Sequence, residues 1–193
     1  MKTVNDSHLA TAGGIGAILL WSSTVALVRS LSEQVGPLSA ATAVYSISGV
    51  VALVSLLRSR QRQQRVLRLP VKYLVVCGTF FVGYMLLLFL AIGWSNSRQQ
   101  VLEVGLLNYL WPVLMLLLSL ALLGKKASWI LFPGTVISLT GIFVVVTHEA
   151  SVTWHSFYQN LASNPAAYIT ALFAALFWAM YSNLTHKFAE NKD

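Results

Sequence analysis

The chain has 193 residues, of which 56% are hydrophobic and only 10% are charged, and its formal net charge is +7. With a mean hydropathy of +0.69, this composition excludes an ordinary soluble domain and predicts an integral membrane protein. The single cysteine, Cys77, excludes a disulfide within one chain, and the four histidines lack the spacing of metal ligands. We find no nucleophile–base pair and no phosphate-binding loop, so neither an enzyme nor a cofactor is expected.

Apolar segments of about 20 residues, long enough to cross roughly 30 Å of hydrocarbon, recur along the whole chain. In chain order they are residues 9–28, 37–57, 73–93, 101–123, 129–147 and 165–185. The predicted fold class is therefore an all-α membrane protein with six transmembrane helices.

The connections between these spans differ in charge. Residues 29–36 are predicted to form a brief connection in which Arg29 and Glu33 could pair. Residues 58–68 are predicted to form a basic loop that orients the chain and meets anionic headgroups, not nucleic acid. Residues 148–164 contain no Lys or Arg and predict an amphipathic stretch on the membrane surface.

The basic residues lie almost entirely on one side of the predicted membrane. With six spans, eleven of the 13 Lys and Arg residues share one side, and only Arg29 and Arg98 lie on the other. Positive charge is retained on the cytoplasmic side of membrane proteins. Both termini are therefore predicted to be cytoplasmic.

The fourth span contains an unusual run, Asn108-Tyr109-Leu110-Trp111-Pro112, which we call the fourth-span motif. At about 1.5 Å per residue the motif lies close to mid-bilayer, where polar groups usually face a bundle interior or a wet cavity. The proline has no N–H and deprives the asparagine carbonyl of its helical partner, which predicts a hinge. The motif therefore indicates a solute path, with simple packing of a kinked helix as the alternative.

Glu103 is the one acidic residue within a predicted span. It is interpreted either as a carrier of protons or as a structural acid. In the first turn of the helix an acid favours the helix dipole and could pair with Arg98. Its shallow depth favours the structural role.

The first and sixth spans resemble each other in sequence. The segment Ala17-Ile-Leu-Leu-Trp21 aligns with Ala174-Ala-Leu-Phe-Trp178 at an offset of 157 residues. Because the sixth span runs opposite to the first, the similarity predicts an inverted repeat, which is typical of transporters.

These features together resemble the aromatic amino acid exporters (YddG-type) of the drug/metabolite transporter superfamily, which have EamA-like repeats. The resemblance is carried by Trp21-Ser22, Tyr84, Glu103-Val-Gly105, the fourth-span motif and Phe177-Trp178-Ala179. It implies a ten-helix fold of two inverted five-helix repeats in the bacterial inner membrane. Residues 1–147 then form the first repeat and 148–164 a periplasmic connection. Residues 165–193 form the first helix of the second repeat and a cytoplasmic tail, so the chain looks truncated.

The resemblance also implies export of aromatic amino acids from the cytoplasm by alternating access. Aromatic rings would supply stacking surfaces, and the amide and phenol would bind the charged ends of the substrate. The residues expected to bind it are Trp21, Tyr84, Asn108, Tyr109, Trp111 and Trp178, with Pro112 as the hinge.

Two alternatives to aromatic amino acid export remain open at this point. An aromatic cavity is permissive, which would suit broad-specificity efflux of drugs or metabolites. A chain lacking four of the ten spans could instead be a non-transporting membrane protein or a partner subunit. We expect this form to export poorly, and two chains could pair as a homodimer to cover the aromatic face of the sixth span.

Overall fold

The computed structural model describes residues 4–124, 133–137, 139–141, 144 and 153–190, which form helices joined by short turns, with no strand among them. The all-α prediction is thus confirmed. The helices are α1 (Val4–Ser22), α2 (Thr24–Val35), α3 (Pro37–Leu57), α4 (Arg60–Leu67), α5 (Val71–Gly93), α6 (Arg98–Asn108), α7 (Trp111–Leu123), α8 (Trp154–Ser163) and α9 (Pro165–Glu190).

Within the described part of the chain, five segments are long and apolar enough to cross a membrane. They are Thr11–Val35, Pro37–Leu57, Val71–Gly93, Arg98–Leu123 and Pro165–Phe188. Most of the predicted fifth span, 129–147, lies outside the described residues, and the described part of it is helical. The predicted amphipathic stretch contains the helix α8.

The prediction that residues 29–36 form a connection was wrong, because α2 continues to the residue before Gly36. Arg29 and Glu33 do pair as predicted, with 2.6 Å between Nε and Oε1, one turn apart on the helix. Arg29 Nη1 also donates to the Ser95 carbonyl at the end of α5. These polar contacts allow the segment to stay helical, and the chain turns only at Gly36, where φ is +83°.

The basic segment was also predicted wrongly as a loop, since most of it forms the eight-residue helix α4. Ser59 precedes this helix in an extended conformation, and its side chain accepts a hydrogen bond from the Arg62 N–H. Such a cap satisfies one of the free N–H groups at a helix start. The sequence has no glycine or proline between Gly49 and Pro70 that would interrupt this helix.

The core of the bundle forms around α9, which contacts α5, α6 and α7. One face of α9 consists of alanines whose side chains are fully buried, and small residues let membrane helices approach closely. They are Ala167, Ala171, Ala174, Ala175 and Ala179. The opposite face exposes Ile169, Leu172 and Phe173. That a second chain covers this face stays a prediction.

Close packing of α3 on α5 depends on Gly93. A Cβ atom at this position would lie only 2.4 Å from the Pro37 Cβ. We expect Gly93→Ala to destabilise the protein by about 1–3 kcal/mol through overpacking, lowering the thermal unfolding midpoint in detergent. Gly78→Ala, on the same helix, meets nothing within 4 Å and should leave the midpoint unchanged or higher, because alanine favours helix. Equal midpoints for the two variants would contradict the packing argument.

Candidate functional site

Two of the membrane-spanning segments are interrupted, and both interruptions lie next to a tryptophan. The first segment breaks between α1 and α2 at Ser23, two residues after Trp21. The Ser22 and Ser23 hydroxyls donate back to carbonyls one turn earlier, at 2.9 and 2.8 Å, and such bonds bend helices. The fourth span breaks between α6 and α7, directly before Trp111.

The second break lies where the sequence predicts a bend in the fourth span, which the structure keeps as one segment from Arg98 to Leu123. Tyr109 and Leu110 form a turn between α6 and α7, and Pro112 lies in the first turn of α7. Proline is favoured there because it has no N–H to lose. The Asn108 carbonyl therefore has no donor four residues ahead. The role of Pro112 as a hinge stays a prediction.

Four of the predicted site residues form one aromatic cluster, made of Trp21, Tyr84, Trp111 and Trp178. The Trp21 and Trp111 rings stack with centroids 6.5 Å apart and planes 28° apart. Trp178 lies 5.6 Å from Trp21, 6.3 Å from Trp111 and 4.7 Å from Tyr84, measured between centroids. Trp21 and Trp178, which correspond in the predicted inverted repeat, thus face each other in a T-shaped contact.

A cavity of about 210 Å³ opens beside this cluster. Its walls are Ile18, Trp21, Ser22, Thr24, Val25, Tyr84, Leu88, Gly105, Asn108, Tyr109 and Trp111. Five of the six predicted binding residues line it. The sixth, Trp178, is not in the wall but contacts the rings of three of the others, Trp21, Tyr84 and Trp111. The volume is below the roughly 300–1,000 Å³ of a typical ligand pocket, which favours a small solute.

The sequence analysis missed several wall residues, including Ile18, Val25, Leu88 and Gly105. Each lies three or four positions from a predicted residue in the same membrane-spanning segment. Residues at that spacing share a helix face. The helical period was therefore the signal that would have found them.

The most polar point of the cavity wall is Asn108. Its Oδ1 atom is buried and has no hydrogen-bond partner of good geometry among the described residues, although the Tyr84 side chain lies beside it. A buried acceptor without a partner is rare and calls for an explanation, such as a ligand or ion. In this position it could accept a hydrogen bond from an N–H group of a bound solute.

Glu103 lies outside the cavity and belongs to a separate polar cluster. Its carboxylate is fully buried and accepts hydrogen bonds from Gln99 Nε2 at 3.2 Å and from Asn160 Nδ2, which reaches both oxygens at 3.1 and 3.2 Å. The Tyr168 hydroxyl also donates to it. The predicted ion pair between Glu103 and Arg98 is therefore wrong. The carboxylate instead accepts hydrogen bonds from neutral side chains of α6, α8 and α9.

Three side chains in this cluster, Gln99, Asn160 and Tyr168, were not singled out from the sequence. Asn160 and Tyr168 are 57 and 65 residues from Glu103. No periodicity within one helix connects positions so far apart, so only the fold could reveal them.

The aromatic cluster and the cavity beside it can together hold a flat ring of a solute and orient a polar group attached to that ring. Offset and edge-on aromatic contacts are worth about 0.5–1.5 kcal/mol each beyond the area they bury. The Tyr109 hydroxyl and the Ser22 and Thr24 side chains add hydrogen-bonding groups at the rim of the cavity. The arrangement is suited to binding and release of a solute.

Comparison with known proteins places the chain among transport proteins. Residues 9–147 match the EamA-like transporter family. The chain is 37% identical over 183 residues to the aromatic amino acid exporter YddG of Salmonella typhimurium (strain 14028s / SGSC 2262), covering 95% of this chain and 61% of that protein. It is 35% identical over 180 residues to YddG of Escherichia coli (strain K12), covering 93% of this chain and 60% of that protein.

A more distant relative is the aromatic amino acid exporter YddG of Ancylobacter novellus, 31% identical over 93% of this chain and 59% of that protein. The chain thus spans about three fifths of the length of the curated relatives it matches. No solved structure matches the chain significantly.

Proposed function

The chain belongs to the EamA-like transporter family, and on this premise we propose that it exports aromatic amino acids from the cytoplasm by alternating access. Its relatives are named as aromatic amino acid exporters. The same activity is proposed for this chain on its own residues. The proposed substrate site is the cavity beside Trp21, Tyr84, Trp111 and Trp178.

The observation that carries this proposal is the meeting of two helix breaks at one aromatic cavity. Transporters with inverted repeats commonly bind their substrate where membrane helices are discontinuous. Here each break presents a tryptophan, and the two rings stack 6.5 Å apart. The aromatic ring of the substrate would lie against these two rings. The α-amino group of the substrate would donate to Asn108 Oδ1, the buried acceptor.

Binding of labelled phenylalanine to the purified chain in detergent tests the proposal. We expect saturable binding that tyrosine and tryptophan compete away and that leucine, which lacks a ring, does not. Efflux of the same label from proteoliposomes then tests transport. Equal competition by leucine would contradict an aromatic site.

Broad-specificity efflux is favoured over amino acid export by one observation, the mainly apolar wall of the cavity. The same binding assay separates the two functions. Indole carries the ring without an amino acid backbone. Competition by indole as strong as that by tryptophan would favour broad specificity, whereas weak competition supports recognition of the amino and carboxylate groups.

We propose that Pro112 sets the break between α6 and α7 about which the site opens. Pro112→Ala restores an N–H that can bond the Asn108 carbonyl, so the two helices are expected to merge into one. The efflux rate should then fall several-fold while phenylalanine affinity changes little. Pro133→Ala, in a different span, is the matched control. An equal loss of affinity and rate would mean that Pro112 only positions the neighbouring Trp111.

We also propose that the chain is oriented with both termini in the cytoplasm. Support comes from the two ends of the bundle. Arg29 contacts the end of α5, next to the start of α6 at Arg98. At the other end of α3, the segment from Arg58 to Arg68, which contains α4, carries five of the seven arginines. A reporter active only in the cytoplasm should therefore be active when fused after Asp193, and a periplasmic signal there would contradict this layout.

A further inference from the structure

A second cavity lies far from the aromatic site, in the bend where α3 ends and α4 begins. It is a groove of about 520 Å³. Its walls are Val50, Val51, Val54, Ser55, Arg58, Ser59 and Arg62. One end of the groove is apolar and the other carries two guanidinium groups and two hydroxyls. A ligand that fits it must have an apolar part and an anionic part.

The basic end of this groove is held in place by the bend itself. The Arg62 N–H is bound by Ser59 Oγ, and Arg62 Nη1 donates to the Ser55 side chain and to its carbonyl at 3.5 Å. The guanidinium therefore lies against the end of α3. A positioned guanidinium loses less conformational entropy when it binds an anion.

In the part of the chain that the structure describes, no acidic side chain forms an ion pair at this end of the groove. The sequence has no Asp or Glu between Glu33 and Glu103. Arg58 makes no ion pair or side-chain hydrogen bond with any residue in the described part of the chain. Guanidinium groups bind phosphate oxygens strongly and in pairs of parallel hydrogen bonds. The charge of the groove therefore complements a phosphate.

The apolar end faces outward from a membrane-spanning helix. Val50 and Val51 are 61% and 64% exposed, and Val54 is 40% exposed, although all three lie within the span Pro37–Leu57. In a bilayer these side chains contact acyl chains. Because the span ends at Leu57, the arginines that follow lie at the level of the headgroups.

We propose that this groove is a discrete binding site for one anionic phospholipid. Its phosphate lies between Arg58 and Arg62, and an acyl chain lies along Val50, Val51 and Val54. Anionic lipids attract juxtamembrane basic residues in general. A groove with one positioned guanidinium group at Arg62, a second guanidinium group at Arg58 and an apolar wall adds a specific, saturable site to that general attraction.

Native mass spectrometry of the purified chain, titrated with phosphatidylglycerol, tests the proposal. We expect one tightly retained lipid per chain, and at least about tenfold weaker binding in Arg58→Gln/Arg62→Gln, because two charge-assisted contacts are lost. Arg60→Gln/Arg68→Gln removes the same charge from residues outside the groove and should change binding less than about threefold. The single variant Arg58→Gln, which keeps the Arg62 contacts, should show an intermediate loss.

Three results would overturn the site. Equal losses in the two double variants would mean diffuse electrostatic attraction. Equal retention of phosphatidylcholine with the same acyl chains would mean that the anionic charge is not recognised. Displacement of the lipid by millimolar inorganic phosphate would mean that the valine wall contributes nothing and that the ligand is a free anion. Unfolding midpoints of all variants, measured in parallel, show whether each protein is folded.

Discussion

Replacing Trp111 by alanine is expected to weaken phenylalanine binding at least about tenfold while the protein still folds. Trp111 is only partly buried and stacks on Trp21 across the cavity. Removal of the indole takes away a stacking contact worth on the order of 1 kcal/mol together with apolar area that the bound ring would bury. Since about 1.4 kcal/mol corresponds to a tenfold change, the combined loss reaches at least that size.

Two further variants make this measurement interpretable. Trp94→Ala removes an exposed indole at the end of α5, outside the cavity, and should leave the affinity unchanged. Trp111→Phe keeps a ring and should restore part of the affinity. If Trp111→Ala instead lowers expression and leaves the affinity of the folded fraction intact, the fourth-span motif is structural.

A second large effect is expected at Glu103, on the stability of the protein. In Glu103→Gln one carboxylate oxygen becomes an NH₂ group, which faces the Tyr168 hydroxyl when it replaces Oε2, while Asn160 Nδ2 keeps its bond to Oε1. The buried Tyr168 hydroxyl then loses its acceptor, and such an unsatisfied group costs about 1–3 kcal/mol. At 2–4 °C per kcal/mol for a chain of this size, we expect the unfolding midpoint to fall by roughly 2–12 °C.

The matched control is Glu33→Gln, the same substitution in the exposed pair with Arg29. Such pairs contribute only about 0.3–0.5 kcal/mol, so the midpoint should hardly change. The pH dependence of efflux decides between the two roles of Glu103. A structural acid leaves that dependence intact in Glu103→Gln, whereas a normal midpoint together with loss of the pH dependence would identify a carrier of protons.

Much of the aromatic site could be predicted from the sequence because its members carry local signals. Trp111 lies next to a proline in an apolar span, and Trp21 and Trp178 occupy corresponding positions of two similar sequence segments. Each pattern marks its own residue without any knowledge of distant contacts. The structure then brings these rings together.

The parts that could not be predicted depend on contacts between distant segments. Residues 29–36 look like a connection because they are polar, yet Arg29 binds a carbonyl 66 residues away and the segment stays helical. The break at Ser23 could not be predicted from the sequence for a different reason. Serine hydroxyls can bond to the preceding turn or leave it undisturbed, and the sequence does not distinguish these cases.

The hydrogen bonds of Glu103 also constrain how the protein is made. Its partners Asn160 and Tyr168 follow 57 and 65 residues later, and the ribosome needs about 3–13 s to add 65 residues. During that interval α6 leaves the insertion machinery with a carboxylate that only Gln99 can satisfy. The alanine face of α9, against which α5, α6 and α7 pack, is synthesised later still. Assembly of the bundle core therefore awaits the arrival of α9, and the earlier spans must be held at the membrane until it is inserted.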